Sequence, residues 1–183
     1  MPQGVRVRVS PPAQILLHLM LIQEFISKEI SAKVNEVSFS WESPSNIALV
    51  KYWGKNLDQT PKNPSISFTL SDCKTTTSVL FKKIKNTSKI IDFELFFEGE
   101  RNISFRTKIE KFFSTIVAYC PFLLNYHLTI SSSNSFPHSS GIASSASAMS
   151  ALSLCIMSLE KELTLIDDEF FYKKASFISR IGS

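Results

Sequence analysis

Between Phe136 and Ala148 the chain reads Phe-Pro-His-Ser-Ser-Gly-Ile-Ala-Ser-Ser-Ala-Ser-Ala. The serines Ser139, Ser140, Ser144, Ser145 and Ser147 surround a single glycine, Gly141, and the run passes directly into an apolar, helix-forming segment. A helix N-terminus carries backbone N–H groups without intrahelical partners and a partial positive charge. Phosphate binds there readily. Gly141 admits a backbone conformation, or the close approach of a ligand, that a Cβ would obstruct. The small residues Ala143, Ala146 and Ala148 leave room for a bulky anion over the first turn. The chemistry these types offer is phosphate binding by amides and hydroxyls. A serine-rich linker with ordinary capping fits the composition equally well, but not the abrupt entry into an amphipathic helix. The segment is not a Walker loop, because no Gly-Lys-Ser/Thr follows, and it is not a Rossmann turn, because GxGxxG is absent.

A second chemical stretch is Ser43-Pro-Ser-Asn-Ile-Ala-Leu-Val-Lys-Tyr-Trp-Gly-Lys55. Taken alone, Lys51 reads as a surface lysine at a strand end, and Tyr52 and Trp53 as core residues. His18, His127 and His138 are scattered and make no triad or metal set. Cys73, Cys120 and Cys155 show no zinc or disulfide spacing. Each lies in an apolar stretch and is expected to be a buried, reduced thiol. The chain has 183 residues, 44% of them hydrophobic, and a net charge of +4. Its mean hydropathy of +0.07 is that of an ordinary globular protein. Lys82, Lys83, Lys85 and Lys89 cluster and read as a solvated strand end rather than an anion patch. No aromatic-interleaved basic stripe points to nucleic acid. The apolar run Ile15–Ile22 is far shorter than the ~18–20 residues a membrane span needs.

The elements that must position these motifs follow from periodicity. Val37–Trp53 is extended, with Pro44 and Asn46 interrupting it. Asn56–Pro64 is a loop, and Ser65–Leu70 and Lys74–Phe81 are two strands. Ile90–Phe97, a turn at Glu98-Gly99-Glu100 and a short strand around Asn102–Phe105 form a hairpin. Over Thr107–Tyr119 the period changes, and Ile109, Phe112, Phe113, Ile116 and Val117 form one helical stripe. Tyr126–Ser132 is a strand that feeds the serine loop. Ser144–Leu159 is a helix with Met149, Leu152, Ile156 and Leu159 inward. A last helix, 168–180, has Asp167 as its N-cap. The order gives an α+β fold, a mixed β-sheet with helices packed against it.

With these residues in place, the serine loop resembles the phosphate loop of the GHMP small-molecule kinase superfamily, Pro-x-x-x-Gly-Leu-Gly-Ser-Ser-Ala. Here the second glycine is Ala143, a variant similar to the mevalonate diphosphate decarboxylase branch. Pro44–Lys55 is similar to that family's first signature, and Asn63-Pro-Ser-Ile-Ser-Phe-Thr-Leu70 and Lys74-Thr-Thr-Thr77 to the segments after it. The resemblance covers Trp41–Ser183, about the N-terminal half of the family's enzyme. It implies a GHMP-type N-terminal domain over 37–183, without the family's C-terminal domain. The implied activity is ATP- and Mg²⁺-dependent. It phosphorylates the 3-hydroxyl of mevalonate 5-diphosphate, with loss of phosphate and carbon dioxide, to give isopentenyl diphosphate for isoprenoid synthesis. Lys51 matches the active-site lysine. Tyr52, Trp53, Lys55 and Ser183 match substrate contacts. Ser139, Ser140, Gly141, Ser144 and Ser145 match ATP and phosphate contacts. No protein metal ligand is implied.

Ser183 matches the first serine of a Gly-Ser-Gly-Ser-Ala-Cys-Arg motif whose remainder, like the family's catalytic aspartate, lies beyond this chain. The isolated 183 residues are therefore expected to be inactive. Residues 1–36 read as an N-terminal extension, with Met20 expected as the natural start. The family setting implies a cytoplasmic protein, a small-molecule substrate, no nucleic acid or membrane, and a homodimer. Two other readings stay open: a related kinase that phosphorylates mevalonate or a derivative without decarboxylation, and a non-catalytic nucleotide-binding remnant.

Overall fold

Five strands form one mixed sheet in the computed structural model, which describes residues 23–27, 30, 33–51, 53–54, 62–85, 88–138 and 140–182. They are β1 (Glu36–Val50), β2 (Ile66–Lys83), β3 (Asp92–Phe97), β4 (Glu100–Arg101) and β5 (Tyr126–Asn134), in the spatial order β1-β2-β5-β3-β4. β3 and β5 run parallel, and the other pairs are antiparallel. A parallel pair needs a crossover, which α1 (Arg106–Ile116) and a 3-10 turn at Pro121–Asn125 supply. α2 (Ser144–Leu163) and α3 (Asp168–Gly182) follow β5. The expected α+β architecture is the observed one.

Helices cover one face of the sheet, and the inward side chains of β1, β2, β5 and β3 fall into rows. Val37, Phe81, Leu128 and Phe93 form the first; Phe39, Val79, Ile130 and Leu95 the second. The third is Trp41, Thr77, Ser132 and Phe97, and the fourth is Ser43, Thr75 and Asn134. The inward face thus turns from apolar to hydroxyl-bearing along the strands. Against its apolar part α1 buries Ile109, Phe112, Phe113 and Ile116, the stripe its period predicts. α2 buries Met149, Leu152, Ile156 and Leu159, and α3 buries Phe171, Ala175 and Ile178. Asp167 caps α3 as expected, its Oδ1 accepting from the Phe170 N–H at 2.7 Å. At the far end of α3, Gly182 is a close approach: a Cβ there would lie 2.7 Å from Met149 Sδ and 2.8 Å from Phe112.

Several local expectations need correction. The two strands Ser65–Leu70 and Lys74–Phe81 are one, because β2 runs unbroken through Ser71–Cys73. A register shift lies there: Pro44 pairs with Lys74 and Ser45 with Leu70. Ser135 stabilises this bulge, accepting from the Lys74 N–H and donating to the Asp72 carbonyl, both at 2.9 Å. Pro44 and Asn46 accordingly do not interrupt β1; Pro44 sits at the bulge of an edge strand, where its missing N–H is tolerated. The strand around Asn102–Phe105 is instead a turn, because Asn102 Oδ1 accepts from Phe105 N–H and Ser104 Oγ, both at 2.9 Å. Asn side chains favour such turns over ladder pairing. The hairpin itself is present, with β4 only Glu100–Arg101 and with Glu98 and Gly99 both at positive φ. β5 extends to Asn134 and α2 to Leu163, while α1 begins at Arg106 and ends at Ile116. Lys82, Lys83, Lys85 and Lys89 are exposed at and beyond the end of β2.

One charged knot ties the helical layer together. Lys174 and Glu160 are 0% and 3% exposed. Lys174 Nζ donates to Glu160 Oε1 at 2.8 Å, to Ser27 Oγ at 2.6 Å and to the Tyr119 carbonyl at 3.0 Å. Ser27 and Phe25, whose ring stacks on Phe177 at 4.8 Å, thereby join the described part of the N-terminal segment to α2 and α3. Removing one partner of such a pair leaves an uncompensated buried charge. We expect Lys174→Met to lower stability by about 3–5 kcal/mol in urea unfolding, and Lys174→Met/Glu160→Leu to recover more than half of that loss.

The cysteines are all free. Cys120 and Cys155 are buried as expected, but Cys73, next to the β2 bulge, is only half-buried. Burial pushes the Cys120 and Cys155 thiols from 9.0 up to about 12. A group whose folded pKa is raised contributes stability that is intact below its unfolded value and fades as pH climbs to the folded one. Stability should therefore fall as pH rises from about 9 towards 12, and Cys120→Ala/Cys155→Ala should flatten that slope. A thiol reagent at pH 8 should label Cys73 in the folded protein and the other two only after denaturation.

Candidate functional site

The serine loop joins β5 to α2, and its backbone is contorted at two points. Gly141 has φ +80° with nothing within 4 Å of a Cβ position, so conformation and not crowding calls for glycine. Ala143 lies in the left-handed region at φ 57°, ψ 39°. For a residue with a Cβ this conformation costs about 1–2 kcal/mol. The turn launches α2 directly: the Ala143 carbonyl accepts from Ala146 N–H at 3.0 Å and from Ser147 N–H at 3.2 Å. Ala143 gives no side-chain cap, and the first turn of α2 contains no acidic residue. Among the described residues, nothing accepts from the N–H groups of Ser144 and Ser145. α3 is the opposite case, with the Asp167 cap and with Asp168 and Glu169 in its first turn. One helix neutralises its own positive end, and the other leaves it open to an anion.

Beside this bare terminus lies a cleft of about 90 Å³. Its walls come from β2, β3 and β5, from α1 and the residue before it, from the loop at His138, and from the first turns of α2. Leu95, Phe97, Phe105, Ile109, Ile130 and Met149 make it apolar, while Ser144, Ser145 and Lys108 bring polar groups to it. His138 also lines it, with its ring 5.3 Å from Phe97 and 5.1 Å from Phe105. An apolar slot opening onto amides and hydroxyls suits a flat, apolar-faced group that carries phosphates. Periodicity reasoning identified α1 and the hairpin as core elements and missed that Phe97, Phe105 and Lys108 wall this cleft. The signal was their position on either side of a two-residue turn and a helix start, which shows no pattern of its own.

The predicted site residues fall into two groups. Ser140, Gly141, Ser144 and Ser145 meet at the loop, while Ser139 lies outside the described residues. Lys51 and Trp53 lie elsewhere. β1 passes the loop at Ser45, whose hydroxyl donates to the Ile142 carbonyl, and Lys51 is six residues on, about 20 Å along an extended strand. Lys51 is exposed, as a surface lysine at a strand end would be, whereas Trp53 is 89% exposed and is not the core residue that its type suggests. Asn63 holds this end in shape: its Oδ1 accepts from Trp53 N–H at 2.6 Å and its Nδ2 donates to the Lys51 carbonyl at 3.2 Å. The sequence showed Asn63 only as part of a motif, without this bracing contact. Tyr52, Lys55 and Ser183 lie outside the described residues.

Residues 43–183 match the family model of the diphosphomevalonate decarboxylase-like N-terminal domain. The chain belongs to that family. A diphosphomevalonate decarboxylase of Debaryomyces hansenii is 37% identical over 131 residues, which cover 64% of this chain and 32% of the relative. The mevalonate diphosphate decarboxylase of Staphylococcus aureus superposes with a TM-score of 0.63 at 31% identity, over 81% of this chain and 42% of that one. The enzyme from Enterococcus faecalis, studied for mevalonate diphosphate mediated ATP binding, superposes with a TM-score of 0.62 at 28% identity, over 81% and 43%. The chain thus spans about a third of the curated relative's length and less than half of these solved ones. The loop before α2 is where this chain places alanine at a left-handed position.

That placement is testable by itself. Glycine pays no Cβ penalty at positive φ, so Ala143→Gly should stabilise the fold by about 1 kcal/mol. It should appear as a higher urea midpoint at unchanged slope.

Proposed function

We propose that this chain binds ATP through the α2 terminus and cleft, as the nucleotide- and substrate-binding part of an ATP-dependent diphosphomevalonate decarboxylase. The observation that carries the reading is the uncapped, acid-free N-terminus of α2 at the mouth of an apolar cleft. The adenine ring fits the apolar walls, and the phosphates fit the Ser144 and Ser145 amides and hydroxyls. Among the described residues no group of three or more His, Cys, Asp or Glu side chains could hold a metal ion. Magnesium, which prefers oxygen ligands and substrate phosphates, would come in on the nucleotide, with those two hydroxyls as its protein ligands. The bound nucleotide supplies the phosphoryl group that turns a tertiary hydroxyl into a leaving group.

The chain's own residues then divide the work. Backbone amides at Gly141–Ser145 hold negative charge on the transferred phosphoryl group, the kind of fixed dipole that stabilises a transition state without reorganising. Lys51 offsets charge at the reacting hydroxyl, and Tyr52, Trp53, Lys55 and Ser183 contact mevalonate diphosphate. Lys51 lies about 20 Å along β1 from Ser45, which meets the loop, a span that nucleotide and substrate bound end to end would have to bridge. The three free thiols support a reducing, cytoplasmic setting, and no helix among the described residues is long and apolar enough to cross a membrane.

Calorimetric titration with Mg-ATP tests the reading. Saturable binding is expected, weakened at least tenfold in Ser145→Asp, which sets a carboxylate into the anion site. No heat of binding in the unaltered chain, or full affinity in Ser145→Asp, would remove the site from consideration. Carbon-dioxide release from mevalonate diphosphate and Mg-ATP tests the decarboxylase itself.

A further inference from the structure

The left-handed turn at Ala143 must be held by something, since no glycine relaxes it and no side chain caps the helix it starts. Ser45 is the group in position to hold it. It is 0% exposed, so its hydroxyl must find a partner inside the protein, and it donates to the carbonyl of Ile142, the residue just before the turn. Ser45 is itself fixed at the β1–β2 bulge, at the register shift from Pro44–Lys74 to Ser45–Leu70. On its other side, the turn is tied through the Ala143 carbonyl to the first turn of α2. Two neighbouring contacts brace that helix on the sheet. Thr75 Oγ1 lies 2.6 Å from Ser147 Oγ, and Ser43 Oγ donates to Ser150 Oγ at 3.0 Å. Both of these act on the helix; among the described residues, the Ser45 hydroxyl is the side chain that grips the loop itself.

We propose that Ser45 is a positioning residue of the nucleotide site: it locks the Ile142–Ala143 peptide so that the Ser144 and Ser145 amides point at the phosphates. This rests on the reading of the loop as a phosphate site. Serine at 45 and alanine at 143 are then coupled. A strained residue persists where its surroundings over-determine it, and the Ser45 hydroxyl supplies that determination. Ser43 provides the control, being equally buried in the same seam but bonded to the helix and not to the loop.

The experiment compares the full chain with Ser45→Ala, Ser43→Ala, Ser45→Thr and Ser45→Ala/Ala143→Gly. Each is read by Mg-ATP affinity and by amide hydrogen exchange at residues 144–147. Ser45→Ala should lose affinity about tenfold and exchange faster at those amides, whereas Ser43→Ala should stay within twofold on both. Ser45→Thr, which keeps the hydroxyl, and Ala143→Gly, which removes the strain, should each restore most of the loss. If Ser45→Ala and Ser43→Ala behave alike, or if glycine at 143 rescues nothing, the positioning role is wrong. Should the unaltered chain not bind Mg-ATP, the nucleotide reading fails separately, and exchange at 144–147 still decides whether Ser45 holds the turn. Should Ser45→Ala not fold, Ser45→Thr and the double variant carry the same comparison.

Discussion

A hydroxyl sealed from water must find a partner within the protein, and this requirement organises one end of the molecule. Thr75 and Ser45 are 0% exposed, Thr77 1%, and Ser43 and Ser147 2%. An unpaired polar group so buried costs about 1–3 kcal/mol. Thr75 therefore bonds to Ser147 and Asn134, Thr77 to Ser132, Ser43 to Ser150, and Ser45 to Ile142. Apolar contacts tolerate sliding between a helix and a sheet, whereas directional bonds do not. The rows of Phe, Val and Leu bury the area that makes the fold stable. The rows of Ser and Thr beyond them brace α2 on the sheet, and Ser45 among them meets the loop.

The candidate site is the consequence of what that seam leaves undone. Ser43, Thr75 and Ser147 spend their hydroxyls across the seam between α2 and the sheet, and no side chain caps the helix. With no acid in its first turn and a left-handed alanine in front of it, α2 ends in unneutralised amides beside an apolar cleft. α3 is built from the same chain with an Asp cap and two further acids in its first turn. The difference between the two termini is what separates a structural helix from one suited to bind an anion.

Much of this was legible from residue order. The α1 stripe, the α2 and α3 faces, the Asp167 cap, the hairpin turn and the strand feeding the loop each follow from a period or a local hydrogen-bond preference, which act over three or four residues. The errors arose where a partner decides. Ser71-Asp-Cys73 looks like a break between strands, yet β1 and β5 hold it in one strand through a bulge. Asn102–Phe105 looks extended, yet one side-chain amide folds it into a turn. Ile47-Ala-Leu-Val50 has the composition of a core strand, yet Leu49 is 65% exposed, with no helix among the described residues covering that end of β1.

The sequence by itself determined most of the elements, the serine-rich and acid-free make-up of the loop, and the family, because those depend on residue type and short spacing. Only the tertiary structure decided that Phe97, Phe105 and His138 wall one cleft, that Lys174 and Glu160 pair in the core, and that Ser45 meets Ile142. Those partners lie far apart along the chain, and their meeting depends on strand register and on the placement of helices over the sheet. No local pattern encodes that register; it is set by which inward rows can be buried together while the seam hydroxyls of Ser43, Ser45, Thr75 and Thr77 find partners.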